Sequence, residues 1–206
     1  MKIKVCGLNN PLNIVELAGA GVDLFGFIFY KKSPRYYNSS LDNHVIRDMY
    51  HSIQKVGVFV NANEYEIMDA AAKYYLDYVQ LHGNESPQLC TKLNQHVKVI
   101  KVFSVENKLN KAFMEKYSEV CDYFLLDTKT KLHGGSGKQF DWHALEDYDF
   151  KQPFFLSGGI GIEDVETIKR IEHPKLYGID VNSKFEIIPG TKDTQLVKEF
   201  IKQINY

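Results

Sequence analysis

The chain has 206 residues, 44% of them hydrophobic and 25% charged, with 25 basic against 26 acidic side chains and a formal net charge of -1. That length suits one good core and is short for two; the balanced charge argues against a nucleic-acid or membrane surface built on bulk charge, and no apolar run approaches the roughly 20 residues of a membrane span. Cys6, Cys90 and Cys121 have no zinc spacing and cannot all pair, and the N-terminal Met-Lys-Ile-Lys-Val-Cys-Gly lacks the apolar core of a signal peptide, so a reduced, cytoplasmic setting is expected.

Taken in chain order, short apolar runs predict strands at residues 3–6, 24–29, 55–60, 78–82, 97–103, 123–127, 154–157 and 177–181. Most are unbroken rather than alternating, which is the pattern of strands covered on both faces in a parallel sheet. Helical spacing fills the gaps at 11–18, 41–53, 63–75, from Pro87 onward, at 106–117, briefly within 140–146, at 165–171, and at Leu196, Val197, Phe200, Ile201 and Ile204. Pro87 after Ser86 suits a first helical position, and Glu163-Asp164 suits a first turn. Strand ends recur every 21 to 31 residues without a linker or low-complexity segment, which predicts an α/β fold, a single (β/α)8 barrel spanning 1–206. A doubly wound open sheet is the alternative, but its first turn usually carries a glycine fingerprint that this chain lacks.

A barrel of this kind carries its chemistry at the strand C-termini. Those ends present Cys6, residues 30–35, Asn61, His82, Phe103, Asp127, Ser157-Gly158-Gly159 and Asp180-Val-Asn182-Ser183, a polar ring with one thiol and two carboxylates. Asp127 ends a buried run and precedes a loop with three glycines in four residues, a setting that favours chemistry over helix capping. Gly158, Gly159 and the strand-eight end with Asn182 and Ser183 lie where barrels often hold a phosphate, so the ligand is expected to carry one. The loop Gly134-Gly-Ser-Gly-Lys138 is not a nucleotide P-loop, since Gln139 and Leu132 occupy the positions of the required Ser/Thr and leading Gly. It reads instead as a mobile cover.

Lys4-Val-Cys-Gly7, Phe25-Gly-Phe-Ile-Phe29, Lys32-Ser-Pro-Arg-Tyr36, Val56-Gly-Val-Phe-Val-Asn61, Val79-Gln-Leu-His-Gly83, Leu126-Asp-Thr-Lys129, Gly134-Gly-Ser-Gly-Lys138, Leu156-Ser-Gly-Gly159 and Asp180-Val with Pro189-Gly190 form an ordered set over nearly the whole chain. This set resembles the phosphoribosylanthranilate isomerases of tryptophan biosynthesis. The resemblance implies an Amadori rearrangement of N-(5-phosphoribosyl)anthranilate, a phosphosugar substrate, with no cofactor and no metal. It implies Cys6 as general base and Asp127 as general acid, and Arg35 as a contact for the anthranilate carboxylate. His82, Asp180 and the loop residue Gly135 carry over as substrate contacts, and Gly158, Gly159, Asn182 and Ser183 as the phosphate cradle. Association with other tryptophan-pathway enzymes is a further implication; nucleic acid and membrane are not.

Two positions depart from that pattern: Asn9 stands where Thr is usual, and Asp180-Val-Asn-Ser-Lys184 replaces Asp-Val-Ser-Ser-Gly. The second change alters the expected phosphate turn and offers Lys184 as a cation beside it. Read from the residues alone, another phosphosugar isomerase or a non-catalytic phosphate-binding barrel stay open. An acid and a base at separate strand ends, with Arg35 nearby, distinguish the aminosugar reading from both.

Overall fold

Eight parallel strands pair in sequence order, and the eighth returns to pair with the first, closing a barrel. The computed structural model describes residues 1–38, 46, 52–128 and 139–206. The strands are β1 Lys2–Cys6, β2 Leu24–Ile28, β3 Gln54–Phe59, β4 Tyr78–Leu81, β5 Lys98–Val105, β6 Tyr123–Thr128, β7 Phe154–Leu156 and β8 Leu176–Val181. The seam aligns Ile3 with Ile179, Lys4 with Asp180 and Val5 with Val181. It rules out the doubly wound open sheet, whose edge strands would stay unpaired.

Helices α1 Pro11–Ala18, α2 Glu64–Tyr74, α3 Pro87–Leu93, α4 Lys111–Met114, α5 Val165–Lys169 and α6 Thr194–Asn205 cover the outside. Their starts follow the chemistry of helix ends. Asn63 and Glu66 form a reciprocal capping box on α2, and Ser86 caps α3 ahead of Pro87. Three segments are shorter or tighter than the periodicity predicts. The stretch 106–117 holds only α4 and a 3-10 turn Glu115–Tyr117, 140–146 is a 3-10 turn Trp142–Asp147, and 165–171 holds α5, which ends at Lys169 and is preceded by a 3-10 turn Ile162–Asp164. The expected helix at 41–53 lies almost wholly outside the described residues. One element is absent from the sequence reading: after a 3-10 turn Ser183–Phe185, strands β9 Glu186–Ile188 and β10 Thr191–Lys192 form a small antiparallel ribbon around Pro189 and Gly190.

The pleat sorts the side chains into two cores. One face of each strand joins the helices in a large outer core that includes Ile3, Val5, Phe25, Phe27, Val79, Leu81, Phe124, Leu126, Phe154, Ile179 and Val181. The other face fills the barrel with Leu24, Val56, Tyr78, Ile100, Val102, Leu125 and Phe155, against which Tyr123 and Tyr177 pack. These aromatics make a floor: Tyr123 lies 5.7 Å from Tyr78 and 4.8 Å from Tyr177 between ring centroids. Burial on both faces explains why the strands read as unbroken apolar runs.

Candidate active site

Above that floor the inward positions turn polar. A cavity of about 750 Å³, open mouth included, is lined by Cys6, Tyr30, Arg35, Gln80, His82, Asp127, Gly158, Gly159, Asp180, Asn182 and Ser183 among others.

On one side stands Cys6, the last residue of β1 and 4% exposed. Its neighbour in register on β2 is Gly26, where an added Cβ would lie 2.7 Å from the Cys6 sulfur, so glycine makes the room the thiol occupies. Two residues earlier on the same inward face is Lys4, wholly buried, whose Nζ donates to Asp180 Oδ1 at 2.7 Å. Asp180 Oδ2 accepts from Ser157 Oγ at 3.2 Å. Burial pushes the Cys6 thiol above its ordinary range, while the Lys4 ammonium pulls the other way. Burial would discharge Lys4, but the charges of Asp180 and Cys6 outweigh it and hold the ammonium firmly protonated.

A second ionic group joins this one from the ribbon. Lys192 Nζ, fully buried on β10, donates to Asn182 Oδ1 and Glu186 Oε1, each at 2.7 Å. Glu186 also takes Arg35, with Nε to Oε1 at 2.8 Å and Nη2 to Oε2 at 2.7 Å. Burial pushes Lys192 down to about 8 against the pull of Glu186. For Glu186 burial acts upward, but its bonds from Arg35 and Lys192 win and hold its carboxyl below the ordinary range. Asn9, the departure from the family pattern, donates its N–H to Gly190 O at 3.2 Å and so anchors this ribbon.

Across the cavity, Asp127 Oδ2 stands 3.3 Å from His82 Nε2, and Asp127 Oδ1 accepts the Thr128 N–H at 2.9 Å. Gln80 Nε2 lies 3.5 Å from His82 Nδ1. Gln80 Oε1 is buried and has no hydrogen-bond partner among the described residues. The loop that carries His82 is held from below. Lys101 Nζ donates to Leu81 O, Gly83 O and Glu85 Oε2, and Glu85 Oε1 accepts from Asn61 N and Gly83 N.

At the third corner, Gly158 and Gly159 both take positive φ, +96° and +70°, which other residues adopt only under strain. Their turn faces the 3-10 turn Ser183–Phe185, whose first N–H groups are those a helix start leaves unpaired. Lys184, expected beside an anion, bonds Glu163 instead and pulls that carboxyl below its ordinary range.

Nine of the residues singled out in the sequence therefore meet at one mouth: Cys6, Arg35, His82, Asp127, Gly158, Gly159, Asp180, Asn182 and Ser183. Gly135 and the glycine-rich cover lie outside the described residues. Asn182 points its amide oxygen at Lys192, which leaves its amide N–H groups and its backbone to meet an anion. Four participants went unread: Lys4, Gln80, Glu186 and Lys192. For Lys4 and Gln80 a signal existed, since each sits two residues before a strand-end site residue on the same face. Glu186 and Lys192 gave none, because the ribbon that brings them in was not predicted.

The sequence profile of the family described as N-(5'phosphoribosyl)anthranilate (PRA) isomerase matches residues 3–203. An N-(5'-phosphoribosyl)anthranilate isomerase of Parabacteroides distasonis is 46% identical over 206 residues, covering 99% of this chain and 93% of that one. The crystal structure of the Thermotoga maritima phosphoribosyl anthranilate isomerase superposes with a TM-score of 0.87 at 37% identity, over 100% of this chain and 98% of that one. A phosphoribosyl anthranilate isomerase in complex with reduced 1-(o-carboxyphenylamino)-1-deoxyribulose 5-phosphate gives a TM-score of 0.84 at 33% identity, over 100% and 98%.

Proposed function

Because the chain belongs to the N-(5'-phosphoribosyl)anthranilate isomerase family, we propose that it converts N-(5-phosphoribosyl)anthranilate to 1-(2-carboxyphenylamino)-1-deoxyribulose 5-phosphate in tryptophan biosynthesis, with Asp127 as general acid and Cys6 as general base. Substrate and product are isomers, so the residues need only move protons. Asp127 gives a proton to the ribose ring oxygen as the C1′–O bond breaks, leaving a Schiff base protonated on the anthranilate nitrogen. The Cys6 thiolate removes the C2′ proton, and that C–H electron pair becomes the C1′=C2′ bond while the iminium electrons return to nitrogen. Tautomerisation of the enolamine, with a proton arriving at C1′ and one leaving the C2′ hydroxyl, yields the ketose.

The observation that carries this reading is the shared cavity of a thiol on β1 and a carboxylate on β6. Arg35 has five N–H donors, of which Glu186 engages the one on Nε and one on Nη2; the remainder suit the anthranilate carboxylate. Gln80 Oε1, an acceptor without a partner among the described residues, suits a sugar hydroxyl. The turn of Gly158 and Gly159 with Ser183 suits the phosphate.

The test generates the labile substrate in situ and follows the loss of its anthranilate fluorescence. Wild type should turn over, and Cys6→Ser and Asp127→Asn should each lose about 10²- to 10⁴-fold in kcat/KM. No turnover by wild type would refute the activity, and wild-type rates in either variant would refute the role given to that residue.

A further inference from the structure

We propose that Lys4 is a positioning residue of this reaction, holding its ammonium beneath Cys6 so that the sulfur can exist as a thiolate, with Asp180 fixing that ammonium in place. The inference rests on the reading of Cys6 as base and extends it to how a buried thiol can serve as one. A thiol sunk in a barrel mouth has lost the water that would solvate its anion, and burial alone makes it a poor base. Something charged must stand in for that water.

Lys4 has the required position. Lys4 and Cys6 occupy alternate residues of β1, so both side chains enter the barrel. Lys4 is wholly buried, and from its place two residues before Cys6 on the inward face its charge acts on the sulfur through a medium that excludes water. An ammonium has three N–H donors, of which Asp180 Oδ1 takes one at 2.7 Å. Asp180 is the residue opposite Lys4 across the closing seam and is itself oriented by Ser157. Both of its oxygens are thus engaged, which assigns it to the ammonium.

The charges around the sulfur agree. From β1 comes Lys4, from β8 Asp180, and from the ribbon Lys192 and Glu186; Arg35 follows β2, and β2 itself offers only Gly26. Across the cavity lies the pair of His82 and Asp127. On the Cys6 side three cations face two carboxylates, so a thiolate there neutralises the excess charge. Of the three cations, Lys4 is the one that shares β1 and its inward face with Cys6, and its bond is to Asp180 on the neighbouring strand.

The experiment compares wild type with Lys4→Met, which keeps the length and removes the charge. The rate of Cys6 alkylation by iodoacetamide is followed against pH by peptide mass spectrometry, alongside kcat and KM. The expected result is an alkylation midpoint at least one pH unit higher, labelling at pH 7 about ten-fold slower or more, and a matching fall in kcat with KM changed less than three-fold. If Lys4→Met leaves Asp180 too exposed to charge imbalance to fold, the double variant with Asp180→Asn carries the same expectation. A folded variant whose Cys6 titrates as in wild type overturns the proposal, as does a loss confined to KM. Wild-type turnover by Cys6→Ser would instead overturn the reading on which it rests, whatever Lys4→Met does.

Discussion

Lys192 is the side chain whose burial has the clearest consequence for pH. Its folded value lies near 8, against an ordinary value of 10.5 in an unfolded chain. Below pH 8 both states hold the proton. Between 8 and 10.5 the unfolded chain keeps a proton the folded one has released, so this group's contribution to stability rises with pH. Buried Tyr78, pushed up mainly by burial, works in the opposite direction at still higher pH, so the comparison must be made against a variant. Urea unfolding of wild type and Lys192→Met at pH 7.5 and pH 9.5 should show wild type gaining stability relative to the variant as pH rises. A constant difference would mean that Glu186 keeps Lys192 charged throughout. At the same scale, Gly26→Ala crowds the Cys6 sulfur and should lower kcat without unfolding the protein.

At the scale of elements, the loops that present the site are fastened to the barrel by ions rather than by apolar contact. Lys101 and Glu85, each with a side chain 1% exposed, form the clearest case. Lys101 rises from β5 and clasps the carbonyls at the end of β4, while Glu85 gathers N–H groups after β3 and β4. Removing one partner leaves the other charge buried and uncompensated, a loss of about 3 to 5 kcal/mol. Lys101→Met should therefore lower the melting temperature by roughly 10 °C for a chain of this size, and should raise KM because His82 sits on the released loop. A melting temperature within 2 °C of wild type would show that backbone pairing alone holds β4. The ribbon β9–β10 acts likewise for Arg35 and Asn182, which reach a common orientation through Glu186 and Lys192.

For the whole molecule, closure makes every barrel strand a neighbour of two others, and the floor of aromatics ties them from inside. Phe155 on β7 lies 5.9 Å from Tyr123 on β6 and 5.2 Å from Tyr177 on β8. Phe155→Ala should cost about 3 to 5 kcal/mol. If the barrel unfolds as one unit, far-ultraviolet and near-ultraviolet circular dichroism will move together, shifted down by about 10 °C. Separate transitions would show that part of the barrel melts on its own.

The strands and much of the ring of strand-end residues were legible in the sequence, because a strand buried on both faces reads as a largely apolar run whose end can be placed; Phe103, expected on that ring, packs in the outer core instead, and Asn61 bonds the loop of Glu85. Cys6, His82, Asp127 and Asp180 could be named on that ground, and glycine at 158 and 159 marked a turn before its torsions were known. The ion pairs could not be read so. Lys4, Lys101 and Lys192 look like surface residues in a linear text, since a lysine inside a core is tolerable only when a partner from elsewhere offsets its desolvation. Lys4 and Asp180 are 176 residues apart and meet only where β8 closes on β1, while Lys101 and Lys192 find Glu85 and Glu186 through the loop after β4 and through the ribbon. The order of elements and the candidate thiol and carboxylate at the strand ends were local properties of the chain; which charges face the sulfur was decided by the barrel, because electrostatics inside it depends on distance in space and on the exclusion of water.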